Sequence, residues 1–166
     1  MAISENVVVN APLEKVVAAF ASEDFARFVS DRLGISLDSF SVDGDTAGAY
    51  TATAQRGVPA DRVPDMAKKF VSKGLSLTQT DAVSAPAADG SRTVTSDIKA
   101  GGVPISATAT QKLTADGDKT DVAVSGEVNS SIPFVGGKIA KAAEPFAGKA
   151  LTKVARSLEE WIASQG

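Results

Sequence analysis

The 166-residue chain contains no cysteine and no histidine. Without cysteine there can be no disulfide, thiolate nucleophile, Cys-ligated zinc or iron–sulfur cluster. Without histidine there is no Ser-His-Asp or Cys-His catalysis, no imidazole metal ligand and no ordinary physiological-pH switch. Nowhere do 18 consecutive apolar residues occur, which excludes a transmembrane helix. The opening residues, Met1-Ala2-Ile3-Ser4-Glu5-Asn6, lack a basic stretch and a long apolar stretch, so they do not read as a signal peptide. A cytoplasmic setting is the expectation. An excess of positive charge is also missing: 17 basic against 20 acidic residues give a net charge of −3. That argues against broad electrostatic binding of nucleic acid, which needs a basic face to displace counterions.

What is present is ordinary for one soluble domain. Hydrophobic residues make up 43% and charged residues 22%, and a domain of this length buries roughly 70% of its unfolded surface. It needs neither disulfide nor metal to fold, and no cofactor is implied.

Residues 3–10, with Val7-Val8-Val9, read as a strand. Pro12 suits an early helical position, and Leu13, Val16, Val17 and Phe20 follow helical spacing. Ser22 can cap a second short helix, and Gly34 can stop it. From Ile35 the period changes from 3.6 to 2. Asp43-Gly44-Asp45, Asp89-Gly90 and Asp116-Gly117-Asp118 are hairpin signals, because glycine takes positive φ without steric cost. They join strands at 36–42 and 47–56, 75–85 and 91–99, and 104–114 and 119–129. Between the 47–56 and 75–85 strands, residues 59–71 read as a turn and a short helix, with Met66 and Phe70 on one face.

The C-terminal segment is a long amphipathic helix. Ile139, Phe146, Ala150, Val154, Leu158, Trp161 and Ile162 share one side, and Lys138, Lys141, Lys149, Lys153 and Arg156 the other. Pro145 lies inside it and predicts a kink or a restart. The predicted architecture is α+β: a curved seven-stranded antiparallel sheet wrapped around the long helix, with two short helices after the first strand. Residues 1–166 form one domain.

Alternation assigns Tyr50, Ala52, Ala54, Arg56, Leu75, Leu77, Gln79, Asp81, Val94, Ser96, Ile98, Ile105, Ala107, Ala109, Gln111, Leu113, Val122, Val124, Gly126 and Val128 to the inner face. That face is apolar but small, with a few polar groups, as in a ligand pocket. Tyr50, Ala54, Leu77, Ile98, Ile105, Ala109, Phe134, Phe146 and Val154 are candidate lining residues, with Arg56 and Gln79 as polar handles. Alternatively Phe70, Phe134, Phe146, Tyr50 and Trp161 fill the space. An inward Arg56 must be paired or wet. It either anchors a carboxylate or phosphate headgroup, or is a surface residue beside Gly57 or a partner of Asp61.

The strand followed by Ala11-Pro12-Leu13-Glu14-Lys15-Val16-Val17 resembles the opening of the helix-grip fold of the START and birch-pollen-allergen superfamily, SRPBCC. More narrowly, Arg56-Gly57-Val58-Pro59-Ala60-Asp61 and Ile132-Pro133-Phe134-Val135-Gly136-Gly137-Lys138-Ile139 resemble an actinobacterial family of uncharacterised START-like domains. The resemblance covers nearly the whole chain. It implies the fold, and a superfamily range that includes lipid and hormone carriers, cyclases, dehydratases and oxygenase subunits. It carries over no catalytic residues.

Other motifs carry less. Gly136-Gly137-Lys138 fails the phosphate-loop pattern, since Ile139 rather than Ser or Thr follows the lysine and no glycine stands five residues before Gly137. Adjacent acids such as Glu23-Asp24 and Glu159-Glu160 do not face each other on a helix. Asp116 and Asp118 need no metal to serve a turn. The Lys/Arg stripe of the last helix could touch anionic lipid, but the reading preferred is a solvated face, since any helix packed on a sheet shows a polar side and Glu159 and Glu160 interrupt the positive field. The expected function is therefore a carrier of a small hydrophobic or amphipathic, lipid-like molecule. The alternatives are a cyclase or dehydratase working with Asp81 and Tyr50, and an interaction module with a packed interior.

Overall fold

The structure, a computed structural model, describes residues 2–63, 65–69, 72–131 and 136–165. Strand β1 (Ala2–Val9) leads into helices α1 (Leu13–Phe20) and α2 (Glu23–Leu33). Strands β2 (Ser36–Gly44) and β3 (Tyr50–Val58) follow, then a 3-10 turn at Ala60–Arg62 and the short helix α3 (Asp65–Lys68). Strands β4 (Leu75–Val83), β5 (Arg92–Ala100), β6 (Ile105–Asp116) and β7 (Lys119–Ser130) precede the long helix α4 (Gly136–Gln165). The seven strands form one sheet in the order β1-β7-β6-β5-β4-β3-β2, every neighbour antiparallel. This is the curved open sheet with a C-terminal helix that the pattern predicts.

Local chemistry accounts for the boundaries. Ser22 caps α2 by accepting the Phe25 N–H at 3.2 Å. Gly34 ends α2 in the left-handed conformation, φ 73°. A Cβ built there would fall 2.7 Å from Arg62 Cζ, so the glycine also leaves room for the Arg62 guanidinium beside the helix end. Pro12 takes an extended conformation immediately before α1, one place earlier than the first helical position. The helix expected near 65–71 is described only over Asp65–Lys68, and the side chains of Met66 and Phe70 lie outside the described residues. Helix α4 runs through Pro145 as a single 30-residue element without a restart. The ring removes one ladder hydrogen bond, and the other turns of a helix about 45 Å long carry on past it.

The strand directions sort the connections between two ends of the sheet. Residues 44–50, 84–91 and 116–119 turn at one end, with Asp43, Asp45, Asp89, Asp116 and Asp118 in or beside them. The opposite end holds residues 59–74, the β5–β6 turn at 101–104 and the approach to α4, where Ser131 N–H donates to the Pro104 carbonyl at 3.0 Å.

The main core lies towards the aspartate end. Val9, Val16, Val17, Phe25, Val29, Tyr50, Ala52, Val83, Val94, Leu113, Val122, Ala155, Leu158 and Ile162 form one buried cluster. Trp161 packs on Phe25 with ring centroids 5.5 Å apart. Helix α4 rests mainly on β1, β7 and α2. Arg32 on α2 pairs with Glu160 on α4, and Glu159 Oε1 accepts the Asn10 N–H at 2.9 Å. Both acids beside Trp161 are thus engaged, while Lys138, Lys141, Lys149, Lys153 and Arg156 are exposed as the wheel predicts. A separate small cluster of Val63, Val58, Leu75 and Val103 holds the opposite end together. Among the described residues no helix is long and apolar enough to cross a membrane.

Candidate functional site

Register builds the site row by row. Tyr50, Val83, Val94, Gln111 and Val124 lie side by side on the inner face. The next row is Ala52, Asp81, Ser96, Ala109 and Gly126, and the next Ala54, Gln79, Ile98, Ala107 and Val128. Arg56 and Leu77 pair one row further on, at the end opposite the aspartate turns. The inner-face assignment made from alternation holds in all five strands: Gln55, Thr78, Thr95, Thr108 and Ser125 point to the other side and are more exposed than their inner neighbours.

Four inner-face side chains and one from α2 form a continuous polar chain. Ser30 Oγ donates to the Ala26 carbonyl at 2.8 Å and accepts from Arg56 Nε at 2.9 Å. Arg56 Nη1 donates to Gln79 Oε1 at 2.6 Å. Gln79 Nε2 donates to the Asp81 carboxylate at 3.0 and 2.9 Å, and Ser96 Oγ donates to Asp81 Oδ1 at 2.6 Å. The geometry follows from the strands. Gln79 and Asp81 are two residues apart and share a face, Asp81 stands opposite Ser96, and Arg56 is two residues beyond Ala54, the partner of Gln79. Arginine can only donate, so its neighbour must offer the amide oxygen, which turns the amide nitrogen towards the carboxylate.

The electrostatics of this chain are opposed. Burial raises the Asp81 carboxyl above its ordinary value, while the Gln79 and Ser96 donors and the charge of Arg56 pull it down. The net direction is up, so the neutral acid is favoured relative to a free aspartate. Burial likewise lowers the Arg56 guanidinium, with Asp81 acting against the shift. Arg56 does not pair with Asp61; its partners are Ser30 and Gln79. Its Nη2 makes no hydrogen bond among the described residues, and neither does the Gln111 amide, which lies on the same face.

Ala54 is buried, while Leu77, Ile98, Ile105 and Ala109 are half-buried on the concave face beside Arg56 and Gln79. The small residues set the shape: a Cβ at Gly126 would run into the Thr108 carbonyl and sit 3.1 Å from Ala109 Cα. Tyr50 lies apart, 3% exposed in the main core, its hydroxyl donating to the Val17 carbonyl at 2.8 Å. Burial pushes that phenol up to about 12. Val154 is half-buried and packs against the same core. Phe134 and the side chain of Phe146 lie outside the described residues. Ser30 is the member that inspection of the strands misses. Its signal is helical: it lies four residues after Ala26 and continues the stripe of Phe25, Ala26 and Val29.

A depression of about 450 Å³ lies elsewhere, largely on the outer face, lined by Ser4, Glu5, Asn6, Thr110, Lys112, Ala123, Val124 and Ser125. It is open and holds no member of the polar chain. Among the described residues there is no cluster of three or more potential metal-ligating side chains.

Comparison with solved structures places the fold. The protein TTHA0849 from Thermus thermophilus superposes with a TM-score of 0.62 at 13% identity, over 100% of this chain and 99% of that one. Norcoclaurine synthase from Thalictrum flavum, solved with dopamine and hydroxybenzaldehyde, gives 0.55 at 14%, over 100% and 88%. Ara h 8.0201 gives 0.55 at 12%, over 99% and 98%. These neighbours share the START and birch-pollen-allergen-like helix-grip fold, which is the fold of this chain. No curated protein matches the sequence. A family model described as "Protein of unknown function (DUF2505)" matches residues 4–162, and the chain belongs to that family.

Proposed function

We propose that this DUF2505 chain binds a small hydrophobic or amphipathic molecule on the concave face of its sheet. The single observation that carries the reading is the state of the inner face around Arg56. There a wall of Leu77, Ile98, Ile105, Ala107 and Ala109 is half-buried beside a polar chain with a donor that is unused among the described residues. A small-residue apolar wall with a few convergent polar groups is what a ligand site requires. Ala54, Arg56, Leu77, Gln79, Ile98, Ile105 and Ala109 would contact the ligand. Phe134, Phe146 and Val154 remain candidates on α4 and the approach to it. The same fold in norcoclaurine synthase holds dopamine and hydroxybenzaldehyde, which supports small-molecule binding at the level of the fold only. A cytoplasmic setting is part of the proposal, checked by fractionating cells that express the chain.

One observation favours a second reading, an enzyme of the cyclase or dehydratase kind. Asp81 is an inward carboxyl held towards its neutral form, and such groups cluster at catalytic sites. Its oxygens accept from Gln79 and Ser96, so a catalytic role needs one of those bonds to be exchanged for a substrate contact.

The test is native mass spectrometry of freshly purified protein, with solvent extraction of whatever accompanies it. A co-purifying apolar metabolite that is lost when Ala109→Leu and Ile98→Trp fill the face supports binding there. A ligand-free mass, together with no uptake of dodecanoate or dodecanol by the purified protein, overturns the reading. An extracted molecule that the protein then converts moves the assignment to the enzyme.

A further inference from the structure

We infer that the ligand carries an anionic head, carboxylate or phosphate, on an apolar body, and that it enters at the end of the sheet opposite the aspartate turns. The inference rests on the proposed ligand-binding face and adds the sign of charge and the direction of approach.

Two independent features support it. The first is the imbalance within the polar chain. Asp81 is the acceptor of the face, and its oxygens take up donors from Gln79 and Ser96. It has little left for a cationic ligand. Arg56 is the cation of the face, and its two hydrogen-bond partners, Ser30 Oγ and Gln79 Oε1, are both neutral. Among the described residues its hydrogen-bonded link to the Asp81 carboxylate runs through the Gln79 amide, although the Asp81 charge acts on it across the face. A half-buried guanidinium with neutral hydrogen-bond partners and an Nη2 that has none among the described residues is completed by a bidentate or single oxyanion contact. Burial also favours the neutral form of Asp81, which leaves Arg56 with still less compensation.

The second feature is the polarity of the fold. The chain is net acidic, but its turn aspartates gather at one end, with Lys119 among them, and the connections at the other end carry more basic than acidic residues, with Asp38 beside them at the start of β2. Asp43, Asp45, Asp89, Asp116 and Asp118 mark the turns at one end. At the other, residues 59–74 carry Arg62, Lys68, Lys69 and Lys73 against Asp61 and Asp65, and the first turns of α4 add Lys138 and Lys141. Asp65 is paired with Lys68 at 2.9 Å. Arg62, Lys73, Lys138 and Lys141 are exposed. Arg56 and Leu77 form the inner-face row nearest this end. A cationic rim around a low-dielectric wall attracts anions and repels cations, an effect that salt weakens over a Debye length of roughly 8–10 Å.

The test is isothermal titration of the full chain with a matched set below its micelle concentrations: dodecanoate, dodecanol and dodecyltrimethylammonium. Dodecanoate is expected to bind at least about tenfold more tightly than dodecanol, the range of one charge-assisted hydrogen bond. Arg56→Gln should remove that preference, so that dodecanoate binds no more tightly than dodecanol does to the same variant. Because Arg56→Gln disturbs an internal network, the surface variant Lys73→Gln/Lys138→Gln/Lys141→Gln provides an independent arm. It should slow dodecanoate association and flatten its salt dependence. Equal binding of dodecanoate and dodecanol, or preference for the ammonium, overturns the inference and leaves the ligand-binding face standing. Failure of all three to bind overturns the face itself. Incubation with phosphatidylglycerol or phosphatidylcholine vesicles distinguishes the sources. Extraction of phosphatidylglycerol marks a membrane lipid, and uptake of dodecanoate alone marks a free amphiphile.

Discussion

The two ends of the concave face share strands, register and alternation, yet they are finished differently. Towards the aspartate turns Tyr50, Val83, Val94, Leu113 and Val122 are covered by α1, α2 and the second half of α4, and Leu113 and Val94 are wholly buried. Towards the other end the same strands present Arg56, Leu77, Gln79, Ile98 and Ala109, all of them half-buried. The difference is one of volume and chemistry. Branched side chains meet helices at the first end. Alanines, a glycine and hydrogen-bonded polar groups stand beside Leu77 and Ile98 at the second, and small and polar groups fill less space than branched chains do. A single sheet can thus devote one half to stability and leave the other half available.

The comparison is most severely tested in the packed half. Leu113→Ala should cost about 2–5 kcal/mol, since neighbours on several elements cannot collapse into the space. Urea unfolding would measure it, and an effect below about 1 kcal/mol would mean the two halves are not packed differently.

Tyr50→Phe comes next, at about 1–3 kcal/mol, because it strands the buried Val17 carbonyl. Tyr50 is the single tyrosine of the chain, so absorbance reports it cleanly. Its phenolate should appear near pH 12 in the folded protein and near 10 in denaturant. Here the folded value is the raised one, so the stabilisation is full below about pH 10 and is lost as pH rises towards 12.

Asp81→Asn has the opposite character, because its site tolerates rather than demands the native charge. The folded carboxyl is raised above its unfolded value. Wild-type stability from this group is therefore complete at low pH and declines as pH rises through the folded value. Relative to wild type, the variant should fare better at pH 7 than at pH 3, by about 1 kcal/mol, the scale of one hydrogen-bonded polar group. Parallel urea curves at the two pH values would show this, and a reversed order would return Asp81 to the ionised state.

The smallest effect is expected for Ala109→Leu in the lined half. Overfilling a tight core costs about 1–3 kcal/mol, but a half-exposed neighbourhood should absorb the change within about 0.5 kcal/mol. Stability should hold while ligand binding falls. A large loss of stability would show that this half is as tightly packed as the other.

The strands, the three hairpins and the inner-face residues were legible in the sequence, while the order in which the hairpins and β1 join came from the structure. Period-2 alternation and three Asp-Gly turns leave few other arrangements for residues 36–129, and Ser22 and Gly34 bracket α2 through backbone chemistry that needs no distant partner. Arg56 and Gln79 were legible as inward polar groups for the same reason. Their use was not. Alternation states which face a residue occupies, but not how far it lies along the sheet from its neighbours' partners. The register alone brought Asp81 opposite Ser96 and Arg56 within reach of Gln79, and the docking of α2 supplied Ser30 from 26 residues away. Tyr50 shows the same limit from the other side: its parity matched a lining residue, while the approach of α1 gave its hydroxyl the Val17 carbonyl and placed it in the core. Local hydrogen bonding and side-chain period are encoded residue by residue. Burial and partnership depend on which elements meet, and that is decided only when the helices close on the sheet.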